Sequence, residues 1–188
     1  MNKVQYCLIR FDNLTLEEIL EKYPLRKEDL LSLENYKSEK TKKEKTISLF
    51  LKRTYVGGFY INKYGKPETK GFYFNVSHSG DAVIFVKADV PVGVDIEKRR
   101  EHSKLLQEHI SSLEEINEDF FKVWTAKESL TKCIGTGVIE SMKNIPSLPF
   151  DGVKTYKENT YFSHIYEIDN YVISIVIQSN NDFKIVKL

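Results

Sequence analysis

The expected elements of this chain follow from its pattern of apolar and polar residues. Several stretches alternate between the two, and in two segments the apolar residues recur with the period of a helix. Alternation predicts a first strand from Lys3 to Arg10, and a lysine-rich helix is expected from Ser38 to Val56, where Gly57 and Gly58 end it. Another helix is expected to open at Thr15, a capping residue followed by acidic residues. Four further strands are predicted at residues 59–63, 71–76, 82–87 and 92–97.

The second half of the chain has a similar order of elements. A helical region from Ser103 to Cys133 is expected to break near Ser111, where SSLEE has the form of a capping box, and Gly135 and Gly137 end it. Strands are predicted at residues 153–156, 161–168 and 171–178. The polar stretch EKRREHSK, residues 97–104, is the best candidate for a linker. The pattern indicates an α+β fold, with a hint of duplication but no residue-level repeat.

Composition and charge mainly exclude classes of function. The 28 basic residues nearly balance the 27 acidic ones, and a net charge of +1 argues against nucleic acid as the main partner. The first residues lack the apolar core of a signal peptide, and no apolar run approaches the ~20 residues of a membrane-spanning helix, so we expect a cytoplasmic protein without a membrane partner. Cys7 and Cys133 form no metal-spacing motif and are expected to be structural thiols.

Two carboxylates lie on a run that otherwise has the character of a buried strand, VGVDIE. Because side chains alternate along a strand, Asp95 and Glu97 share one face with Gly93, while Val94 and Ile96 share the other. Two acids on one face can converge on Mg²⁺, which prefers one or two carboxylates together with water and phosphate oxygens. The alternative is a strand end whose polar face is wet. Gly93 would leave room for a ligand beside the acids.

A second candidate is the helix in FFKVWTAKESLTK. Helical spacing places Glu128 and Lys132 together on the flank of an apolar stripe, where they can act as a third metal ligand and a phosphate contact. An ordinary surface ion pair is the alternative. Lys127 lies near the middle of the apolar stripe, so its ammonium must reach the surface or find a partner.

The stretch FNVSHSG and the lysines of the first long helix complete the candidate chemistry. Ser77 and His78 follow a predicted strand, where hydroxyl, imidazole and backbone groups can hold a phosphate. Adjacent Ser and His do not make a hydrolytic triad, and no G-x-S-x-G motif is present. Without a binding role, the lysines of the first long helix are expected to form one solvated face. They are Lys37, Lys40, Lys42, Lys43 and Lys45.

Taken in order and spacing, YGKP, FNVSHSG, VGVDIE and FFKVWTAKESLTK resemble the signature of the 4'-phosphopantetheinyl transferases, in the two-lobed class typified by the enzyme that activates surfactin synthetase. The resemblance is best from Lys37 to about Gly137. It implies two pseudo-duplicated lobes, residues 1–100 and 101–188, each a small, mainly antiparallel sheet packed with helices. It also implies an enzyme that moves the phosphopantetheine arm of coenzyme A onto a serine of an apo acyl or peptidyl carrier protein, with Mg²⁺, releasing 3',5'-ADP.

The resemblance also implies roles for residues of the acidic strand and of the long helix. Asp95, Glu97 and Glu128 would bind the metal. Glu128, or a water that it orients, would be the general base toward the serine. Lys132 would balance pyrophosphate charge, and Lys127 would assist.

The contacts with coenzyme A follow from the same resemblance. Ser77 and His78 would contact its phosphates, and Lys66 and Pro67 of YGKP would lie near the adenine end. The 3'-phosphate would be held by Lys37, Lys40 and Lys45, as single point charges.

The carrier protein is expected to contact the segment at about 135–145, where Val138, Ile139, Met142 and Ile145 are either exposed apolar contacts or part of the second lobe's core. The segment between Glu97 and Trp124 is shorter than is typical of the class, which would alter docking. We expect a monomer. Two rival functions remain open at this point, a Mg²⁺-dependent phosphohydrolase and a carrier-binding module without catalysis.

Overall fold

The computed structural model describes residues 1–137 and 141–188. In the first half the elements are β1 (Asn2–Arg10), α1 (Leu16–Lys22), α2 (Lys27–Leu33), α3 (Glu39–Tyr55), β2 (Tyr60–Ile61), β3 (Pro67–Glu68), β4 (Tyr73–Ser79), β5 (Ala82–Ala88) and β6 (Val92–Lys98). In the second half they are α4 (Lys104–Ile110), α5 (Phe120–Ile134), a 3-10 turn (Met142–Asn144), β7 (Gly152–Tyr156), β8 (Asn159–Ile168), β9 (Tyr171–Ile177) and β10 (Phe183–Lys187).

The strands form two four-stranded sheets and one small hairpin. The first sheet has the order β10-β1-β5-β4, the second has the order β6-β9-β8-β7, and β2 pairs with β3. All of these pairs are antiparallel except β1 with β10, where Asn2 lies opposite Phe183. The predicted α+β class with mainly antiparallel sheets is therefore confirmed.

The predicted lobe boundary at residue 100 does not coincide with the change of sheet. β6 lies before that boundary but pairs with β9 in the second sheet, where Asp95 is opposite Ser174. β10, at the other end of the chain, returns to the first sheet. Each half thus contributes one strand to the sheet of the other half, and the division into two lobes stays a prediction.

Apolar side chains from the facing sides of the two sheets form one core. It includes Ile84 and Val86 of β5, Val94 and Ile96 of β6, and residues of β9. Helix α3 packs on the other face of the first sheet, and α5 packs on the other face of the second. The layers therefore follow the order α3, first sheet, second sheet, α5, with Val94 and Ile96 anchoring β6 at the centre.

Local sequence accounts for the ends of the principal helices. The Thr15 hydroxyl accepts a hydrogen bond from the Glu18 amide (3.2 Å), and the Glu18 carboxylate accepts one from the Thr15 amide (2.7 Å), so that the predicted Thr15 cap forms a complete capping box at the start of α1. The Asp119 carboxylate caps α5, and Gly135 ends that helix with a φ of 80°. Among the described residues, no helix combines the length and apolar character needed to cross a membrane.

Some predicted elements differ in extent. The helix expected to restart at SSLEE does not form there, because residues 113–117 make turns and α5 begins only at Phe120. The strand predicted at 71–76 instead continues to Ser79. Neither α2 nor β10 was predicted: α2 is held by the buried Asp29, which accepts two hydrogen bonds from Arg53 of α3 (2.9 and 3.0 Å).

Candidate active site

The edges of the two sheets meet through side chains of β4 and backbone amides of β6. Asn75 Oδ1 accepts a hydrogen bond from the Val94 amide (3.1 Å), Ser77 Oγ from the Ile96 amide (3.4 Å) and Ser79 Oγ from the Lys98 amide (3.1 Å). Alternate residues of β4 thus take the place of a backbone ladder. This seam explains why three small polar residues recur at every second position of a buried strand in FNVSHSG.

Asp95 lies inside this seam and is 4% exposed. Its Oδ1 accepts hydrogen bonds from Ser77 Oγ (2.8 Å) and from Lys132 Nζ (2.6 Å). Its Oδ2 is one of two buried side-chain polar atoms in the described residues that have no hydrogen-bond partner. Burial raises the pKa of Asp95 even though Lys132 and Ser77 oppose that shift. One oxygen of this carboxylate is therefore bonded within the protein, and the other is buried without a protein partner.

The other two candidate metal ligands lie nearby. Glu97 Oε2 accepts hydrogen bonds from Ser79 Oγ (2.8 Å) and Arg100 Nη1 (2.9 Å). Burial raises the pKa of Glu128, and the negative charges of Asp95 and Glu97 raise it further. The three carboxylates predicted from the sequence are therefore brought close enough to repel one another.

No group of three or more His, Cys, Asp and Glu side chains among the described residues is arranged as a metal site. The positive charge at Asp95 is supplied by the Lys132 ammonium. The chemistry of the donors nevertheless suits a hard cation, because Asp95 and Glu97 raise the pKa of the Glu128 carboxyl and the buried Asp95 Oδ2 lacks a partner.

The space predicted beside Gly93 is not available to a ligand. A Cβ atom at this position would collide with the carbonyl oxygen of Ser129 and with the backbone of Cys133. The glycine therefore allows α5 to lie directly against β6, and the prediction of ligand space is wrong. The close approach of α5 also lets Lys132 reach Asp95.

A cavity of about 250 Å³ opens beside these residues. It is lined by Glu128 and Lys132 of α5, Asn75 and Val76 of β4, and Lys66 and Pro67 of the β2–β3 turn, among others. Residues from YGKP, FNVSHSG and the α5 motif thus surround one space.

The Lys66 ammonium is directed at α5 within this arrangement. It donates hydrogen bonds to the carbonyl oxygens of Lys132 (2.7 Å) and Cys133 (3.3 Å), in the last turn of the helix. A cation there satisfies carbonyls that lack partners within the helix and complements its dipole. Burial lowers the pKa of Lys66. The β2–β3 turn is therefore fastened to the end of α5 by this side chain.

Lys127 does not face the cavity, and its predicted role as a catalytic helper is not supported. Its side chain is fully buried, and Nζ lies 2.7 Å from Glu115 Oε2 and donates to the carbonyl oxygens of Met142 (2.8 Å) and Ile145 (2.6 Å). All three N–H donors of the ammonium therefore have protein partners. The expectation that Lys127 needs a partner is correct, but Glu115 was not recognised from the sequence.

The predicted phosphate contacts lie in different environments. Ser77 is buried in the seam, whereas the side chain of His78 is 41% exposed, with Nδ1 3.4 Å from Glu44 Oε2. Lys40 is 3.9 Å from the same glutamate and lines a hollow of about 340 Å³. Lys37 lines a separate hollow of about 510 Å³, and the Lys45 ammonium lies over the Tyr36 ring. The three predicted lysines are therefore not gathered in one hollow.

The predicted carrier-contact segment is partly buried. Val138 and Ile139 lie outside the described residues. Ile145 is 3% exposed and packs in a cluster with Leu130 and Tyr161, and Met142 is partly buried against the same cluster. Ile145 is therefore a core residue and not an exposed contact.

Comparison with known proteins agrees with the motifs. A family model described as the 4'-phosphopantetheinyl transferase superfamily matches residues 91–176. A 4'-phosphopantetheinyl transferase of Bacillus subtilis, ffp, is 36% identical over 110 residues, which cover 50% of this chain and 44% of the relative. The psf-1 transferase of Bacillus pumilus is 32% identical over 108 residues, covering 50% of this chain and 46% of the relative.

A vertebrate relative matches a longer part of the chain. The L-aminoadipate-semialdehyde dehydrogenase-phosphopantetheinyl transferase of Xenopus laevis is 30% identical over 138 residues, covering 61% of this chain and 46% of the relative. The matched region thus spans less than half the length of each of these curated relatives. Residues 91–176, which include the acidic strand and α5, are thus similar to the 4'-phosphopantetheinyl transferase superfamily, and the resemblance indicated by the motifs is confirmed.

Proposed function

We propose that this protein transfers the 4'-phosphopantetheine group of coenzyme A to a serine of an apo acyl or peptidyl carrier protein and releases 3',5'-ADP. The proposal is carried by the unpartnered Oδ2 of the buried Asp95, whose Oδ1 pairs with Lys132, a residue that lines one cavity together with Glu128. Its relatives named as 4'-phosphopantetheinyl transferases support the same activity.

Mg²⁺ fits this set of carboxylates. Asp95, Glu97 and Glu128 would hold it. Burial is the main cause of the raised pKa values of Asp95 and Glu128, neighbouring carboxylates raise them further, and a divalent cation would offset both effects. The ion would supply a Lewis acid that neutralises charge on the pyrophosphate.

The cavity between the β2–β3 turn and α5 is proposed to receive coenzyme A. Lys132 would turn from Asp95 toward the pyrophosphate, and His78, which is exposed, would contact phosphate oxygen. Pro67 and the aliphatic part of Lys66 would lie near the adenine end, with the Lys66 ammonium remaining on α5. Ser77 would act indirectly by holding Asp95.

The 3'-phosphate would contact the lysines of the first long helix. Lys37, Lys40 and Lys45 remain the proposed residues, although they border different hollows. The division into lobes 1–100 and 101–188 and the monomeric state belong to the same proposal.

The chemical step is a displacement at phosphorus. A bond forms between the serine oxygen and the β-phosphorus, the bond from that phosphorus to the bridging oxygen breaks, and 3',5'-ADP leaves. Glu128, or a water that it orients, would accept the serine proton, because burial and neighbouring acids raise its affinity for a proton.

The proposal is tested by mass spectrometry of apo carrier proteins incubated with the protein, coenzyme A and Mg²⁺. A gain equal to one phosphopantetheine group on an acyl or peptidyl carrier, lost when the metal is chelated, is expected. Consumption of coenzyme A without carrier would favour a phosphohydrolase. Carrier binding without any mass gain would favour a non-catalytic module, and several unchanged carriers of both types would contradict the proposed transferase.

A further inference from the structure

One buried carboxylate outside the four family motifs joins three segments of the second half. Glu115 is 3% exposed, and its Oε2 accepts a hydrogen bond from the Ser112 amide (2.8 Å) and lies 2.7 Å from Lys127 Nζ. Its Oε1 accepts from both the amide (2.9 Å) and the hydroxyl (2.6 Å) of Ser147. The loop before α5, the helix itself and the segment after it therefore meet on one side chain.

The segment 141–147 is held at two more points by Lys127. The ammonium donates to the carbonyl oxygens of Met142 and Ile145, and Lys154 Nζ donates to that of Ser147 (2.6 Å). The 3-10 turn in this segment has only three residues and no capping side chain. Its position is therefore fixed by the buried network rather than by its own local structure.

This network lies apart from the cavity proposed for coenzyme A. The residues lining that cavity come from the β2–β3 turn, from β4, and from α5 and the glycines that follow it; none comes from 112–115 or 141–147. The segment 141–147 overlaps the end of the proposed carrier-contact region at 135–145. Lys127 and Glu128 are consecutive in α5, and a turn of about 100° between them directs one inward and the other to the cavity.

We propose that Glu115 is a positioning residue that, through Lys127, holds the segment 141–147 against α5 and so sets the surface offered to the carrier protein. This inference rests on the proposed transferase function. A disturbance at Glu115 reaches the segment 141–147 directly through Ser147 and Lys127, whereas no described residue that lines the coenzyme A cavity bonds to Glu115.

The test measures transfer kinetics for Glu115→Gln. The amide keeps the size of the side chain but places a donor or a neutral oxygen against Lys127 and Ser112. We expect the KM for the carrier protein to rise about tenfold, with the KM for coenzyme A and the kcat at saturating carrier within about twofold of the wild type. The matched control is Glu167→Gln, which removes exposed ion pairs to Lys122 and Arg99 (both 2.7 Å) and should change neither KM.

The double variant Glu115→Gln/Lys127→Met separates positioning from stability. Lys127→Met removes the ammonium that Glu115→Gln leaves without its carboxylate partner, so it should recover much of the thermal stability lost in the single variant. A methionine side chain at position 127 cannot donate hydrogen bonds to the carbonyl oxygens of Met142 and Ile145, so the KM for the carrier should stay raised. A carrier KM that returns to the wild-type value together with stability would overturn the inference. So would unchanged kinetics in Glu115→Gln, or equal increases in both KM values. A wild-type protein that transfers nothing would instead refute the proposed function, and this inference with it.

Discussion

The ammonium of Lys132 lies 2.6 Å from Oδ1 of Asp95, while Oδ2 of the same carboxylate has no hydrogen-bond partner in the described structure. The pair bridges α5 and β6, so the spacing between helix and strand determines whether it forms. It also divides the carboxylate into an oxygen bonded within the protein and a buried oxygen without a partner. This asymmetry is the basis of the first prediction.

Asp95→Asn should lower the rate of phosphopantetheine transfer by on the order of 100-fold or more, the scale on which loss of a charge-stabilising group lowers kcat. The amide would present a neutral group where a cation is proposed to bind. The rate of mass gain on the carrier at saturating Mg²⁺ checks this. Asp81→Asn is a matched control, because Asp81 also pairs with a lysine (3.0 Å to Lys98) but at a more exposed position. Wild-type transfer by Asp95→Asn would contradict the ligand assignment.

Gly93→Ala should destabilise the protein by about 1–3 kcal/mol, because the added Cβ collides with the backbone of α5. Denaturant unfolding followed by circular dichroism measures the effect. At Gly58 an added Cβ meets no atom within 4 Å, so Gly58→Ala should change stability by less than about 1 kcal/mol. Equal effects at the two sites would mean that α5 does not press against β6 as described.

Ser77→Ala should cost about 1–3 kcal/mol of folding free energy, since it leaves the buried Ile96 amide without its acceptor and removes one donor to Asp95. The same unfolding experiment applies. Thr69→Ala, which removes an exposed hydroxyl bonded to the Gly58 carbonyl (3.0 Å), should have a smaller effect. A Ser77→Ala variant as stable as the wild type would argue against the side-chain seam between the sheets.

The stability of the protein should rise with pH above pH 8 through Lys154. Burial lowers the pKa of Lys154 to about 8, whereas an unfolded lysine titrates near pH 10.4. Between these values the unfolded chain binds more protons, so the free energy of unfolding increases with pH. Relative to Lys154→Met, the wild type should gain about 2–3 kcal/mol from pH 7 to pH 10. A difference between the two proteins that does not change with pH would show that Lys154 titrates normally.

The sequence predicted the candidate acids because they follow regular periods. Asp95 and Glu97 are two residues apart on a strand and therefore share one face of it. Glu128 and Lys132 are four residues apart on a helix and therefore share one face of that helix. Those relations depend only on local geometry, and the structure brings all three acids into one neighbourhood.

Relations between distant segments were not accessible in this way. Periodicity placed Gly93 beside the acids but could not tell whether a ligand or the backbone of α5 fills the gap. Glu115 had the local signature of a cap, and its bond to the Ser112 amide is present, yet its other partners include Ser147, 32 residues along the chain. Strand β10 pairs with β1 from the opposite end of the sequence, where five residues give little pattern.

The crossing of strands between the sheets bears on how the chain can be divided. Separate expression of residues 1–100 and 101–188 would leave β6 without β9 and β10 without β1, so each fragment would carry an unpaired strand edge. Neither fragment contains a complete sheet, and the two should acquire stable structure only when mixed. The chain can therefore be divided in the polar stretch between β6 and α4 to make a split protein, in which activity would depend on association of the two fragments.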